Sequence, residues 1–308
     1  MELEGIHHVT CITADAPGNV DFYARVLGLR LVKKTVNQDD PTVYHLFYAD
    51  EEGSTGADIT FFEYPGAPRG RAGVGMVHRI TWRVGSEQAL DFWQERLAGE
   101  GVAVERLPGR LRFCDPEGLA LELAAVETDD LPLVAEHPQI PAELALQGFH
   151  GVRAYAARPE ASRRLLEDAL GFRPLGEREW EARGRTRGSL YAYDEPPALP
   201  GLSGAGTVHH VAWASWPQDH EAWRARVARV GAPSSPVIDR FYFRSLYFRE
   251  PSGVLFEIAT IGPGFAVDEP KETLGEALSL PPAFEHLRGQ VERALTPLAN
   301  PRDSWARG

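Results

Sequence analysis

Cysteine is scarce in this 308-residue chain: Cys11 and Cys114 are the whole supply, and no CxxC pair occurs. That excludes a disulfide framework and a thiolate zinc site, and it fits a reducing cytoplasm. Positive charge is also short. Lys and Arg number 32 against 44 Asp and Glu, for a net charge of −12. Such a chain lacks the basic surface that nucleic acid or an anionic membrane requires, so neither is expected as a partner. No apolar run approaches the length of a membrane span. The opening MELEGIHHVT is acidic and has no signal-peptide apolar region. What remains, 43% apolar and 10% aromatic, is ample material for a soluble core.

Periodicity divides the chain into one motif used four times. Residues 5–13 (GIHHVTCIT) read as a strand ending at Ala14-Asp15. A helix follows, with Val20, Phe22, Tyr23, Val26 and Leu27 at helical spacing and Gly28 as its stop. Strands are expected at 30–36, 42–48 and 59–63. The order β-α-β-β-β then recurs: strand 77–84, helix 87–97, and strands 102–106, 111–114 and 119–125. Residues 127–141, rich in Pro and acid, read as a linker. A third unit begins at 148, with a helix at 161–170 stopped by Gly171 and strands near 177–182 and 188–193. The fourth has a strand at 207–215, a helix at about 219–230 and three strands ending at Thr260. The fold class is therefore α+β, four βαβββ modules. They group as an N-terminal pair (1–130), a C-terminal pair (145–262) and a Pro-rich tail (263–308). One amphipathic helix (Phe284, Leu287, Val291, Leu295) suits that tail to packing, and no chemistry is visible in it.

Residues 207–260 carry the most unusual pattern. Two histidines, His209 and His210, sit on an apolar strand, and Glu257 lies among Leu255, Phe256, Ile258 and Ala259. A carboxylate so placed needs a partner, and a divalent metal shared with His is one. Internal repetition sharpens this. Gly5-Ile6-His7-His8-Val9 matches Gly148-Phe149-His150-Gly151-Val152, and Val77-His78-Arg79 matches Val208-His209-His210. Asp115-Pro116-Glu117-Gly118, leading to Glu122, matches Glu250-Pro251-Ser252-Gly253, leading to Glu257.

Four such modules, a His on first strands and a turn Gly before a last-strand Glu resemble the vicinal oxygen chelate superfamily over about residues 1–262. That superfamily includes type I extradiol dioxygenases, glyoxalase I and small drug-binding proteins. GIHHVT, YHLFYAD, VHHVAWA and the Arg240…Tyr247…Glu257 series look like its hydroquinone-cleaving dioxygenases. The resemblance implies cupped sheets forming two partial barrels, with metal ligands drawn from modules one and four. It also implies non-haem Fe(II), with Mn(II) as the other candidate, and a small aromatic diol and O2 as partners. A homo-oligomer is left open.

The repeat bears on the ligand set. Taking the second His of each pair plus the last-strand Glu gives His8, His210 and Glu257. The matching positions of the other half hold Gly151, Arg79 and Glu122, so one half keeps both histidines and the other keeps neither. Folding alone gives no reason for that asymmetry; it points to one working site and one relic. Two histidines and a carboxylate leave metal positions open, as oxygen chemistry requires. Tyr247 and Arg240 are lost along with the ligands, because the same spacings before Glu122 give Arg112 and Glu105. Tyr247 is expected to hydrogen-bond a substrate oxygen or supply a proton, with Arg240 stabilising negative charge and holding Tyr247.

The first histidines read differently. Strand alternation points His7 and His209 to the opposite face, and their survival as His150 and His78 favours a structural role. The resemblance instead implies that His7 and Thr10 line the site, which for His7 requires a bulge. His45 is either a pocket or a core residue. Glu63 is the candidate fourth ligand under a glyoxalase-type reading with Zn or Ni. His137, His220 and His286 are expected to face solvent, and Cys11 to pack. Beside hydroquinone cleavage stand three alternatives: a catechol-type extradiol dioxygenase, a glyoxalase-like isomerase or lyase, and a metal-free binding protein.

Overall fold

All four modules appear in the computed structural model, which describes residues 1–307. Module one comprises β1 (Ile6–Thr13), α1 (Ala16–Val20), β2 (Arg30–Asn37), β3 (Asp40–Ala49) and β4 (Asp58–Glu63). Module two has β5 (Val77–Val84), α2 (Glu87–Gly99), β6 (Glu105–Leu107), β7 (Arg110–Cys114) and β8 (Ala120–Ala125). Module three has β9 (Phe149–Tyr155), β10 (Arg173–Pro174), β11 (Glu179–Arg183) and β12 (Gly188–Asp194). Module four has β13 (Thr207–Ser215), α3 (His220–Arg229), β14 (Ile238–Asp239), β15 (Arg244–Arg249) and β16 (Leu255–Thr260).

Helix type alternates with module. Ser86 caps α2 by accepting the Ala89 N–H at 3.1 Å, and Ala89, Leu90, Trp93 and Leu97 turn one buried face to the sheet. In module one, α1 continues into a wider helical stretch over Asp21–Val26: the Leu27 N–H reaches the Phe22 carbonyl, five residues back, at 2.9 Å. The segment expected as a helix at 161–170 has the same form, with Leu170 N–H on the Leu165 carbonyl at 2.9 Å. Modules one and three are thus one kind and two and four the other, as the sequence matches anticipate.

The strands form two curled eight-stranded sheets, ordered β14-β15-β16-β13-β1-β4-β3-β2 and β10-β11-β12-β9-β5-β8-β7-β6. Each joins two modules through an antiparallel pair of first strands, β1 with β13 and β5 with β9. Module one therefore shares a half-barrel with module four, and module two with module three. Fully buried Trp82, Trp93, Trp180, Trp213 and Trp223 fill the layers between sheets and helices. Among the described residues no helix is long and apolar enough to cross a membrane.

Two connecting segments do more than sequence composition indicates. Asp130, in the linker, is buried and takes Arg83 Nη1 at 2.6 Å together with Arg183. The tail lies along β2, with Leu278 bridged to Lys34. Its expected single helix is two pieces, a narrow turn over Pro282–Leu287 and α4 (Arg288–Ala294). The pair Pro281-Pro282 has no N–H to give at the start of the first piece.

The turn before β8 carries a titratable group. Asp115 accepts the Tyr23 hydroxyl at 3.1 Å and the Leu119 N–H at 2.8 Å, and burial raises its carboxyl to about 6. A raised carboxyl favours folding while protonated. Its contribution is full below the ordinary value of 3.8 and is lost as pH rises through about 6. In urea unfolding, Asp115→Asn is expected to gain on the parent by about 2 kcal/mol between pH 4 and pH 8. A stability difference that stays constant with pH would refute this.

Candidate metal centre and cavity

Strand register brings the three expected ligands together. His8 on β1 pairs with Ala212 on β13, and Ala212 pairs with Glu257 on β16. Paired residues share a face, and His210 shares it too, two residues before Ala212. The small Ala212 side chain leaves the space between the three open. All three are buried. Glu257 Oε2 lies 2.9 Å from His210 Nε2 and 3.3 Å from His8 Nε2, and the two ring nitrogens are 3.3 Å apart.

The carboxylate itself is under-satisfied. Neither Glu257 oxygen receives a hydrogen bond of sound geometry, although both have no access to water. An orphaned buried carboxylate is costly, and three donor atoms within 4.8 Å of one another are disposed to bind a common cation. Burial alone would raise the Glu257 carboxyl, but the adjacent His8 and His210 rings outweigh it and hold it well below its ordinary range. Burial also lowers His210, against the pull of Glu257. A neutral imidazole and an ionised carboxylate are the forms a divalent transition metal takes, so these residues fit one.

The histidines that precede His8 and His210 lie beside them, not behind the sheet. Pairing jumps from Ile6–Trp213 to His8–Ala212, leaving His7 as a bulge, and from Thr10–His210 to Cys11–Val208, leaving His209 as another. His78 and His150 occupy the matching bulges of the other sheet. Strict alternation fails at all four because each bulge adds a residue without a partner. His7 Nε2 contacts the Thr260 carbonyl at 3.2 Å, so it carries the proton and leaves Nδ1 bare. That Nδ1 lies 3.0 Å from His8 Nδ1, which must then be the donor, leaving the His8 Nε2 lone pair for the centre. His209 Nδ1 lies 2.8 Å from His210 Nδ1, so one proton bridges those two nitrogens. Burial and the neighbouring His8 push His7 down to about 3; partial desolvation by the cavity wall and the neighbouring His210 push His209, which keeps an exposed edge, down to about 4.

A cavity of about 330 Å3 opens over this centre. His45, Phe62, His209, Tyr242, Phe243 and Tyr247 form much of its wall. Tyr247 pairs with Glu257 across β15 and β16 and meets the His210 ring edge-on at 5.9 Å. Burial, reinforced by Glu257, raises its phenol, so it keeps its proton. Arg240 falls just after β14, not on the strand itself, and stacks over Tyr247 at 5.5 Å. Asp39 of module one grips that guanidinium at 2.9 and 3.0 Å, tying the two modules across the cavity mouth. Thr10 is fully buried and does not border the cavity; it accepts from Thr60 at 2.8 Å, which in turn contacts His45 at 2.9 Å.

Other expectations need correction. Glu63 is no ligand: it accepts the Ala16 N–H at 3.0 Å and the Thr296 hydroxyl at 3.2 Å, at the level of Thr13. By register the counterpart of Glu257 in module one is Thr60, because Thr10 pairs with Thr60 as Ala212 pairs with Glu257. His220 is buried rather than solvent-facing, and His137 is half-buried; His286 is exposed. Cys11 packs, as expected. In the other half, Glu122 is held by Arg110, by Arg112 at 2.7 Å and by Arg79 at 4.0 Å. Guanidinium groups there satisfy the carboxylate that a metal could satisfy beside His8. Sequence pattern alone does not single out Asp39 or Tyr242, whereas Thr60 follows from the pairing two residues beyond His8.

Comparison with known proteins identifies the family and the fold. The family described as the glyoxalase/bleomycin resistance protein/dioxygenase superfamily matches residues 5–123. "Putative ring-cleaving dioxygenase MhqA" of Bacillus subtilis (strain 168) is 38% identical over 97% of this chain and its own full length. Chlorohydroquinone/hydroquinone 1,2-dioxygenase of Sphingobium indicum is 33% identical, over 95% of this chain and 96% of that protein. A crystal structure described as a putative dioxygenase from Bacillus subtilis superposes with a TM-score of 0.90 at 39% identity, covering 96% and 98% of the two chains. The chain belongs to the glyoxalase/bleomycin resistance protein/dioxygenase superfamily.

Proposed function

We propose that this chain is an Fe(II)-dependent dioxygenase that cleaves the ring of a hydroquinone-type diol with O2. The convergence of His8, His210 and an otherwise unpaired Glu257 beneath an aromatic-walled cavity carries the reading. The relatives named as ring-cleaving dioxygenases support it. Bound there, iron would supply redox chemistry and a shared point of attachment for diol and O2. His7 fixes the His8 tautomer, and His209 abuts His210 Nδ1 in the matching place. Tyr247, protonated, donates a hydrogen bond toward a substrate oxygen and holds the proton the product needs. Arg240 stands behind it as a fixed positive charge. Phe62, Phe243 and Tyr242 flank a planar ring and restrict water.

The place of Glu257 in module one is taken by Thr60, so no second carboxylate closes the site, which favours the dioxygenase over a glyoxalase-type reading with Glu63. We further read 1–130 and 145–262 as duplicated halves that exchange partners, so that neither half holds a complete site. The test is oxygen uptake by anaerobically iron-loaded protein with hydroquinone, methylhydroquinone and catechol. Uptake with the first two above catechol is expected. No uptake with any of them, alongside intact metal binding, would sink the proposal.

A further inference from the structure

The tail, expected only to pack, reaches the wall of the cavity. Lys33 on β2 is 0% exposed. Its ammonium donates to Asp268 Oδ1 at 2.8 Å and to Glu269. A lysine so buried is costly unless paired, so the fold depends on these carboxylates being in place. The second oxygen of Asp268 is also engaged: it accepts the Ser279 hydroxyl at 2.6 Å and the Tyr242 hydroxyl at 3.1 Å. The Lys33 ammonium itself lies 4.9 Å from the Tyr242 ring centre.

Tyr242 belongs to a strained turn that carries much of the cavity wall. Phe241 has φ +69°, and the Tyr242 N–H bonds back to the Arg240 carbonyl at 2.9 Å, closing a γ-turn of the rare positive-φ kind. A bulky residue holds such a conformation only where its surroundings impose it. Module one grips one side, through Gln38 on the Arg240 carbonyl at 2.7 Å and Asp39 on the guanidinium. The tail grips the other, through Gly264 N–H on the Tyr242 carbonyl at 2.9 Å and Asp268 on the Tyr242 hydroxyl. What the turn presents is functional surface: Arg240 over Tyr247, the Tyr242 ring, and Phe243 at 5.2 Å from the His8 ring.

We propose that Lys33 and Asp268 are positioning residues that act through Tyr242 to hold the 240–243 turn at the spacing a monocyclic diol requires. Neither borders the cavity. The assignment of the ligand rests on the dioxygenase reading; the anchoring of the turn does not. A purely structural ion pair would change stability and leave the turn and the ligand affinity alone.

Asp268→Asn and Tyr242→Phe each weaken one end of the contact and keep the side-chain shape. Amide hydrogen exchange over 240–244 and the anaerobic dissociation constant of hydroquinone for the iron-loaded protein are the readouts, with metal content as control. Both variants are expected to retain metal, to exchange over 240–244 roughly tenfold faster, and to bind hydroquinone roughly tenfold more weakly. For Asp268→Asn, kcat at saturation changes less than about threefold, so the loss falls on KM. The double variant is no worse than the worse single one, because both cut one linkage. Lys33→Met follows the same pattern where it folds. Wild-type exchange over 240–244 and wild-type hydroquinone affinity in Asp268→Asn, with only a lowered Tm, would overturn the proposal. Faster exchange in a protein whose parent binds no diol would keep the anchoring and reject the diol reading.

Discussion

His8→Ala is expected to abolish stoichiometric metal binding, although His8 lies in the first module and 202 residues from His210. The centre offers two imidazoles and one carboxylate, all buried. Deleting one imidazole leaves two ligands and a gap that the surrounding strands cannot fill, since the facing residue, Ala212, has no donor. Affinity should fall by well over the 10- to 100-fold typical of outer partners. Glu122→Gln, in the other half, removes a buried carboxylate of the same type and should leave metal content unchanged. Elemental analysis after anaerobic loading and gel filtration decides the matter. Metal retained at the parental level in His8→Ala would refute the pairing of modules one and four at the centre.

Tyr247→Phe should have the second largest effect, and a different one. Metal binding persists, because Tyr247 touches the His210 ring only at its edge and supplies no ligand atom. The proton is lost. Removing a positioned acid costs on the order of 10²-fold in rate. Burial beside Glu257 keeps the phenol protonated, and the Arg240 stack fixes its direction. Steady-state oxygen consumption with matched metal content is the measurement. A kcat within about threefold of the parent would remove Tyr247 from the chemistry.

Much of this architecture was readable from residue order. Turn glycines, period-2 strands and three matched segments pointed to the four modules, and the contrast of His8 and His210 with Gly151 and Arg79 singled out the histidines that the fold brings beside Glu257. Register was harder. His7 and His209 obey the face their bulges impose, and a bulge leaves no mark in a strand of alternating apolar residues. Glu63 is a carboxylate at a strand end, yet parallel pairing places Thr60, not Glu63, opposite Thr10. The tail misled for another reason: Lys33 looks like an ordinary surface lysine until Asp268 and Glu269 close over it. His220 sits at the start of a helix, where exposure is common, but α3 packs that end against the sheet. Long-range partnership of this sort depends on which segments meet, and no local pattern encodes it.

The sharing of one sheet between the first and last modules has a consequence for synthesis. β1 takes its antiparallel partner from β13, so one edge of the first module has no mate while modules two and three are being made. At about 5–20 residues per second the ribosome needs roughly 10–40 s to cover that distance. During that interval the nascent module, with IHHVTCIT paired to β4 on one side only, exposes the other edge of that strand, an invitation to association with other chains. Cells making this protein should therefore depend on chaperone protection of the nascent amino-terminal module, more than a chain of equal length with sequential pairing would.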